Sequence, residues 1–179
     1  MNRKRTAHQK GNRNTVVEDI RQMMAANYVG KDLSAACLFW AKATCIRLRE
    51  AGHRAVIQAG TAAWRRIPDE LDDGVVDTHY GYQWDVNEPA NQIALMEGRL
   101  PELHCWAAIP DRNQIIDLTT GFQVEQCERT TGLDWPANHP PDWLWVDCEK
   151  MDEDLSVYHP CRFAIELALN LLEVSKWGE

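Results

Sequence analysis

The spacing of apolar residues predicts helices near both ends of the chain. In "NTVVEDIRQMMAANYV", from residue 14, apolar residues recur at helical spacing. The next segment, "DLSAACLFWAKATCIRLREAGH", has Ser34 as its predicted N-cap and stops at Gly52. Its first half is apolar on most sides, which is typical of a buried central helix. The pattern of "PCRFAIELALNLLEVSKW" predicts a last amphipathic helix that Pro160 can start.

The middle of the chain follows the period of β-strands instead. Four apolar runs, "RAVIQAGTAAW", "VVDTHYGYQW", "HCWAAIP" and "QIIDLTT", are predicted as strands. A short helix with Pro89 in its first turn separates the first two runs from the last two. Residues 132–147 combine prolines and tryptophans without a regular period and are predicted as loop. This order of elements predicts an α+β fold with an antiparallel sheet.

Composition and charge favour one globular domain with a basic tail. The chain has 179 residues, of which 45% are hydrophobic and 26% are charged, enough to bury one core. Residues 1–13 hold five Lys/Arg and no acid, whereas the remaining residues hold fourteen basic and twenty-seven acidic ones. We therefore expect a basic disordered tail over residues 1–13 and a single domain over residues 14–179. The acidic body should repel nucleic acid, so nucleic-acid binding is expected only weakly, through the tail.

Location and cofactors follow from what the sequence lacks. No apolar run has the length of a membrane span, and no apolar signal segment follows the basic start. We therefore expect a cytoplasmic protein without a membrane partner. Under those conditions the six cysteines are expected to be free thiols. None forms a CxxC pair, and His159 with Cys161 lacks the usual ligand spacing, so no metal is expected.

A histidine and an aspartate lie in the two strands of the predicted hairpin. If its turn has two residues, Pro110 faces Asn113 and His104 faces Thr119. Asp117 then lies on the same face of the sheet as His104, at a diagonal position within reach. Its carboxylate can accept a ring N–H and fix the tautomer of the imidazole. The pair accounts for a charged residue inside an apolar strand, either as part of a catalytic site or as a purely structural His–Asp contact.

One cysteine occupies a position that favours a thiolate. Cys37 follows Ser34 by three residues, in the first turn of the buried helix, where unpaired N–H groups and the helix dipole favour an anion. A neighbouring histidine would lower its pKa further. Cys45, two turns deeper, lacks this advantage, and Cys105 should point to the opposite sheet face from His104. The alternative is that Cys37 is a small apolar packing residue.

The chain order Cys37, His104, Asp117 resembles that of the transglutaminase-like branch of the papain-like cysteine enzymes. The matching segments are "SAACLFWAKATCIRLREAGHRAVIQAG", "LHCWAAIP" and "IIDLTTG". Trp106 follows the histidine at two places, and Thr119 follows the aspartate at two places, as in the D-x-T sequence common in that family. The resemblance covers roughly residues 30–122.

The resemblance implies a fold, an activity and three roles. The fold would be a papain-like or transglutaminase-like core, with the central helix that carries the nucleophile packed on an antiparallel β-sheet. The activity would be cysteine-dependent amide hydrolysis or acyl transfer through a thioester, on a peptide or protein amide and without a cofactor. Cys37 would attack the carbonyl, His104 would take and return the proton, and Asp117 would hold His104. Alternatively, the chain keeps this fold without the chemistry and acts as a protein-binding module.

Residues around the substrate are expected on several elements. The backbone N–H of Cys37 and one further donor would meet the oxyanion. The segment with Trp135, His139 and Trp145 either forms one wall of the cleft or packs into the core. Six residues are candidates for the second oxyanion donor or for the cleft walls: Trp40, Gln58, Tyr80, Gln83, Trp106 and Trp143.

Overall fold

The computed structural model describes residues 3–31, 36–66, 79–97, 101–152 and 156–174. Within these ranges the chain is α+β, with a curled antiparallel sheet and five α-helices. None of the described helices is both long and apolar enough to cross a lipid bilayer. The elements in chain order are α1 (Arg3–Asn27), α2 (Cys37–Glu50), β1 (Val56–Arg65), β2 (His79–Tyr82), α3 (Pro89–Met96), β3 (His104–Ile109), β4 (Gln114–Asp117), α4 (Gln123–Thr131), β5 (Leu144–Asp147), β6 (Ser156–Pro160) and α5 (Arg162–Val174).

The long strand β1 organises the sheet, whose order is β2-β1-β3-β4-β5, with β6 also paired to β1. Gly60 pairs with His104 of β3 and with Pro160 of β6, so these two strands flank it on opposite sides. Ala62 pairs with Tyr82 of β2 and is likewise flanked by β6. Strands β2 and β3 therefore follow each other along one edge of β1. Their arrangement brings the end of β2 next to the start of β3.

The two faces of the sheet are covered differently. Helices α1, α2 and α5 pack on one face, where apolar residues of α1 and α2 meet alternate residues of β3 and β4. The other face is aromatic and is covered by α4 and the loop that precedes β5. Because side chains alternate along a strand, Cys105 and Ala107 face the helices, whereas His104 and Trp106 face the aromatic layer. The large buried side chains of the aromatic layer are Trp64, Trp106, Trp135 and Tyr158.

The helix starts differ from the predicted ones. Helix α1 begins at Arg3, so it includes residues 3–13 of the segment predicted as a disordered tail. That segment has no proline, and its Lys, Arg, Gln and Ala residues are compatible with a helix. Arg13 attaches the helix to β5, where its guanidinium donates to Trp145 O at 3.0 Å and lies 5.0 Å from the indole centre. Helix α2 has Ala36 as its N-cap, and the predicted cap Ser34 lies outside the described residues.

Several short elements were not predicted from the sequence. The segment expected to be loop over residues 132–147 contains β5, and neither α4 nor β6 was predicted. Pro160 ends β6, and α5 begins two residues later, at Arg162. Short strands carry little periodicity of their own, and β6 is defined by pairing with residues about a hundred positions earlier. Strand β1, the described part of the second predicted strand and helix α3 lie where the pattern predicted them.

Gly60 is held in the narrow gap between β3 and β6. A Cβ there would lie 2.2 Å from His159 O and 2.9 Å from the backbone N of Cys161, so the backbone would have to shift. We expect Gly60→Ala to lower the free energy of unfolding by about 3 kcal/mol or more, at the upper end of overpacking costs. Urea unfolding followed by circular dichroism measures this change.

Gly52 provides the control for that substitution. The φ of Gly52 is positive, at +82°, but a Cβ added at this residue would have no atom within 4 Å. Gly52→Ala should therefore lose only the conformational term, about 1 kcal/mol. Equal losses at Gly52 and Gly60 would mean that the crowding around β1 is not what requires a glycine.

Candidate active site

The imidazole of His104 lies at the start of β3 and is completely buried. Its ring is enclosed by aromatic side chains: Tyr82 stacks on it at 5.3 Å between centroids, and Trp64 meets it edge-on at 5.1 Å. Trp106 stacks on it at 6.1 Å. A charged imidazole in such surroundings requires a compensating partner, because burial alone favours the neutral ring.

Asp117 is that partner. His104 Nε2 lies 2.8 Å from Asp117 Oδ2, and both side chains are buried. An ionised carboxylate only accepts hydrogen bonds, so Nε2 carries the proton in this contact. Burial raises the pKa of Asp117, but the charge and hydrogen bond of His104, together with Thr119, outweigh burial and leave that pKa lowered. Asp117 is therefore held as a buried anion.

Three further donors hold the carboxylate in place. The backbone N–H and the hydroxyl of Thr119 donate to Oδ1 at 2.8 and 2.6 Å. The hydroxyl of Tyr158, on β6, donates to Oδ2 at 2.8 Å and accepts from Trp64 Nε1 at 3.3 Å. Together with His104, these donors saturate both oxygens of Asp117. The carboxylate is thereby fixed by β3, by the residue that follows β4 closely, and by β6, which the sequence analysis did not connect to the site.

The hairpin has the predicted register. Ile109 pairs with Gln114, Ala108 with Ile115 and Ala107 with Ile116, which is the register in which His104 was predicted to face Thr119. Residues 110–112 form a single 3₁₀ turn, and Asn113 adopts the left-handed conformation at φ 51°. The even-length turn preserves the parity on which the His–Asp contact depends. The predicted contact between His104 and Asp117 is confirmed.

Cys37 is the first residue of α2, where backbone N–H groups have no partner within the helix. Its thiol interacts with the side chains of Cys105 and His104. The hydrogen bond with Cys105 has the largest effect and lowers the pKa of Cys37; burial opposes it, and the hydrogen bond and charge of His104 lower it further. The net result is a pKa of Cys37 well below its ordinary value, which favours a thiolate.

The two nitrogens of His104 therefore have different roles. Nε2 is bound to Asp117, whereas Nδ1 is buried and has no well-aligned hydrogen bond within the described residues. Because the Cys37 thiol interacts with the same ring, Nδ1 is the nitrogen available to exchange a proton with it. Loose geometry between nucleophile and base is common in the absence of substrate.

The charges of the three groups are coupled. Burial lowers the pKa of His104, but the charge and hydrogen bond of Asp117 and the contact with Cys37 raise it to about 10. At neutral pH these shifts favour a Cys37 thiolate beside a protonated His104, which is in turn paired with the Asp117 carboxylate. Cys45, two turns further along α2, shows the opposite behaviour, because burial raises the pKa of its thiol to about 12.

Cys105 is the neighbour that the sequence analysis missed. Its side chain faces the helices, on the opposite sheet face from His104, as expected from strand alternation. Cys37 nevertheless interacts with both residues, because the start of α2 packs against the start of β3, where His104 and Cys105 are neighbours. The hydrogen bond with Cys37, together with burial, raises the pKa of Cys105, which therefore remains a thiol. Only the docking of α2 on β3 brings the two cysteines together, and sequence spacing gives no sign of it.

Among the candidate cleft residues, two line a groove beside β2. Tyr80 and Gln83 belong to a groove of about 690 Å³ beside β2, which also contains Tyr82, the residue stacked on His104. Glu102 provides a carboxylate in the same groove. Gln58 instead lines a separate groove of about 570 Å³ between α2 and α5.

The tryptophans among the candidates pack into the core. Trp40 is 5% exposed and contacts Phe122, and Trp106 is 2% exposed beneath Tyr158, so neither is available as a cleft wall. Trp143 and Trp145 pack against the cluster formed by α1 and α2, and Trp135 is buried in the aromatic layer. His139 contacts the backbone carbonyl of Trp135 at 2.7 Å. Of the two interpretations of this segment, the structure favours core packing for its tryptophans.

The chemistry available at the site is that of its own side chains. Within the described ranges, no three His, Cys, Asp or Glu residues are grouped in a way that could hold a metal ion. All six cysteines are free. The site thus combines a thiol with a lowered pKa and a buried imidazole that is hydrogen bonded to a buried carboxylate. Comparisons of the chain with protein-family models, with curated proteins and with solved structures find no match.

Proposed function

We propose that the protein is a cysteine-dependent acyl-transfer enzyme with a transglutaminase-like, papain-like core. The observation that carries this proposal is the buried pair of His104 and Asp117, joined at 2.8 Å, with the thiol of Cys37 close enough for ring and thiol to shift each other's pKa. A structural His–Asp pair has no need of a thiol whose pKa is lowered. The substrate would be the amide of a peptide or protein, and the acceptor of the acyl group would be water or an amine.

The proposed reaction starts from the ion pair. The Cys37 thiolate attacks the carbonyl carbon, and the carbonyl oxygen becomes an oxyanion near the backbone N–H of Cys37 at the start of α2. His104 gives its Nδ1 proton to the leaving amine as the C–N bond breaks, which leaves a thioester on Cys37. His104, now neutral, takes a proton from the incoming water or amine as it attacks the thioester. Asp117 keeps the ring oriented and stabilises its charged form throughout.

The groove beside β2 is the proposed binding place for the acyl donor. It borders Tyr82, whose ring stacks on His104, and Tyr80 and Gln83 offer polar groups along it. The oxyanion donor that supplements Cys37 would come from this side, which favours Gln83 or Tyr80 over Gln58. We place the reaction in a reducing compartment such as the cytoplasm, because the mechanism requires a reduced thiol.

An activated ester tests the proposal without knowledge of the natural substrate. We expect p-nitrophenyl acetate to acetylate Cys37 before any other cysteine, because its thiol alone combines a lowered pKa with a neighbouring base. Trypsin releases Cys37 and Cys45 on separate peptides, residues 32–42 and 43–47, so mass spectrometry locates the acetyl group.

Two alanine variants complete this experiment. Cys37→Ala should abolish the acetylation, whereas Cys45→Ala, a matched change in the same helix, should leave it at the native rate. Acetyl groups spread evenly over the six cysteines, or none on residues 32–42, would favour the alternative in which this fold serves as a protein-binding module.

A further inference from the structure

A second thiol lies against the proposed nucleophile. Cys37 and Cys105 belong to one buried cluster, together with Ala41 and Ala59, and are 7% and 1% exposed. Each thiol shifts the pKa of the other, as side chains in contact within one buried cluster do. One residue opens α2 and the other is the second residue of β3, so the contact joins two elements that are distant in sequence.

The two sulfurs are chemically unequal. Their contact lowers the pKa of Cys37 and raises that of Cys105, and Cys37 alone of the two lies at the start of a helix, where an anion is favoured. Thiolates react with peroxides much faster than thiols do. Oxidation at this pair should therefore start at Cys37, with an unreacted thiol already in contact. A reactive thiolate beside a second thiol is the arrangement found in reversible redox sites.

We propose that Cys37 is an oxidant-sensitive site whose sulfenic acid is captured by Cys105 as an intramolecular disulfide. In the first step the Cys37 thiolate attacks one oxygen of hydrogen peroxide; the S–O bond forms, the O–O bond breaks, and the leaving hydroxide takes a proton to become water. In the second step the sulfur of Cys105 attacks the sulfenic sulfur; the S–S bond forms, the S–O bond breaks, and the thiol proton leaves with the hydroxide as a second water.

The disulfide would have two effects: it would stop catalysis by Cys37 and would protect its sulfur from irreversible oxidation. It removes the nucleophile needed for a thioester, and it prevents further oxidation of Cys37 to the irreversible sulfinic acid. A thiol reductant restores both cysteines. The proposal rests on the thiol pair and does not depend on acyl transfer. Cys161, which packs at the edge of the same cluster, is the competing partner that an experiment has to exclude.

Peptide mapping of the full chain after peroxide treatment tests the proposal. The protein is treated with hydrogen peroxide at neutral pH, its remaining thiols are alkylated, and it is digested with trypsin without reduction. Trypsin places each cysteine on its own peptide, with Cys37 in residues 32–42, Cys105 in residues 100–112 and Cys161 in residues 151–162. We expect one disulfide-linked pair, between residues 32–42 and residues 100–112, which dithiothreitol separates.

Variants decide between capture by Cys105 and independent oxidation. In Cys105→Ala the linked pair should disappear, and the fraction of Cys37 that dithiothreitol recovers should fall at least tenfold as sulfinic acid accumulates. Cys161→Ala should behave like the native chain. Linkage of Cys37 to Cys161, unlinked sulfinic acid in the native protein, or no oxidation at Cys37 would each overturn the proposal. If the linked pair forms in a protein that p-nitrophenyl acetate does not acetylate, the proposed function is contradicted and the disulfide proposal stands.

Discussion

Replacing His104 with glutamine is expected to slow hydrolysis of the Cys37 thioester by about 10²–10⁴-fold, the usual contribution of a general base. Glutamine retains an N–H group that can donate to Asp117, so the buried carboxylate keeps a partner. It cannot accept or return a proton at neutral pH. The measurement is the loss of the acetyl group from residues 32–42 after treatment with p-nitrophenyl acetate, followed over time by mass spectrometry.

The same variant tests the charge state of Cys37. With the protonated ring removed, the pKa of Cys37 should rise, because the hydrogen bond and the charge of His104 both lower it in the native protein. Alkylation by iodoacetamide near pH 6 should therefore slow by about tenfold or more, a net value that allows for the greater nucleophilicity of a more basic thiolate. The contact with Cys105, which also lowers the pKa of Cys37, is unchanged, so part of the lowering should remain.

His53→Gln is the control for this substitution. His53 lies between α2 and β1, away from the pair of His104 and Asp117, and makes the same chemical change possible outside the site. Both rates should stay within about twofold of the native values, as for surface changes distant from a site. If His104→Gln hydrolyses the thioester and is alkylated at the native rates, the imidazole has no part in the mechanism, and the result for His53→Gln does not change that conclusion.

The central hairpin illustrates how much of the site the sequence could predict. The turn "PDRN" is short, and side chains alternate strictly along strands, so parity alone relates His104 to Asp117. The position of Cys37 in the first turn of α2 was predicted from Ser34 as the helix cap three residues earlier, and Cys37 is the first residue of that helix. These inferences are local, because each depends on the neighbouring few residues.

The contacts that complete the site are not local. Tyr158 reaches Asp117 because β6 pairs with β1, and Cys105 reaches Cys37 because α2 packs on β3. The periodicity of the sequence predicts neither the pairing of β6 with β1 nor the packing of α2 on β3. The segment "SVYHP" is only five residues long and ends in proline, so its alternation of Val157 and Tyr158 was too short a signal for a strand.

The burial of Trp40 and Trp106 could not be predicted from the sequence for a related reason. Trp40 and Trp106 were candidates for the oxyanion donor or the cleft walls, but Trp40 fills space between sheet and helices and Trp106 fills space in the aromatic layer. A large aromatic ring in a chain of this size is more often part of the core than of a groove. Their burial is decided by packing across elements, which sequence position does not reveal.

Asp117→Asn is expected to reduce turnover of an amide substrate, or of p-nitrophenyl acetate at neutral pH, by about 10²–10⁴-fold, similar to the loss known for the equivalent change in a Ser-His-Asp triad. The substitution keeps the shape of the side chain and removes its charge. Burial, which lowers the pKa of His104, is then opposed only by the contact with Cys37. The pKa of His104 should fall well below about 10, because the larger of the two contacts that raise it is lost.

The direction of the pH dependence follows from that shift. In the native protein His104 holds its proton up to about pH 10, so the thiolate–imidazolium pair persists across the neutral range. In Asp117→Asn the proton is lost at much lower pH, and the thiol of Cys37 must then ionise without a charged partner. Thiolate formation should therefore move to higher pH. The absorbance of the thiolate in the ultraviolet, titrated against Cys37→Ala, reports the pKa of Cys37, and NMR of the imidazole reports that of His104.

Asp111→Asn supplies the matched control, because it makes the same change on the turn of the same hairpin. The Asp111 side chain is 55% exposed, and its ion pair with Arg54 spans 3.5 Å in solvent, a contact worth at most about 1 kcal/mol. Its titration curves and turnover should match those of the native protein. An Asp117→Asn protein that keeps a protonated His104 at pH 8 would show that the buried carboxylate is not what holds the charge. The proposed mechanism, in which Asp117 keeps His104 charged and His104 keeps Cys37 ionised, would then be contradicted at its first step.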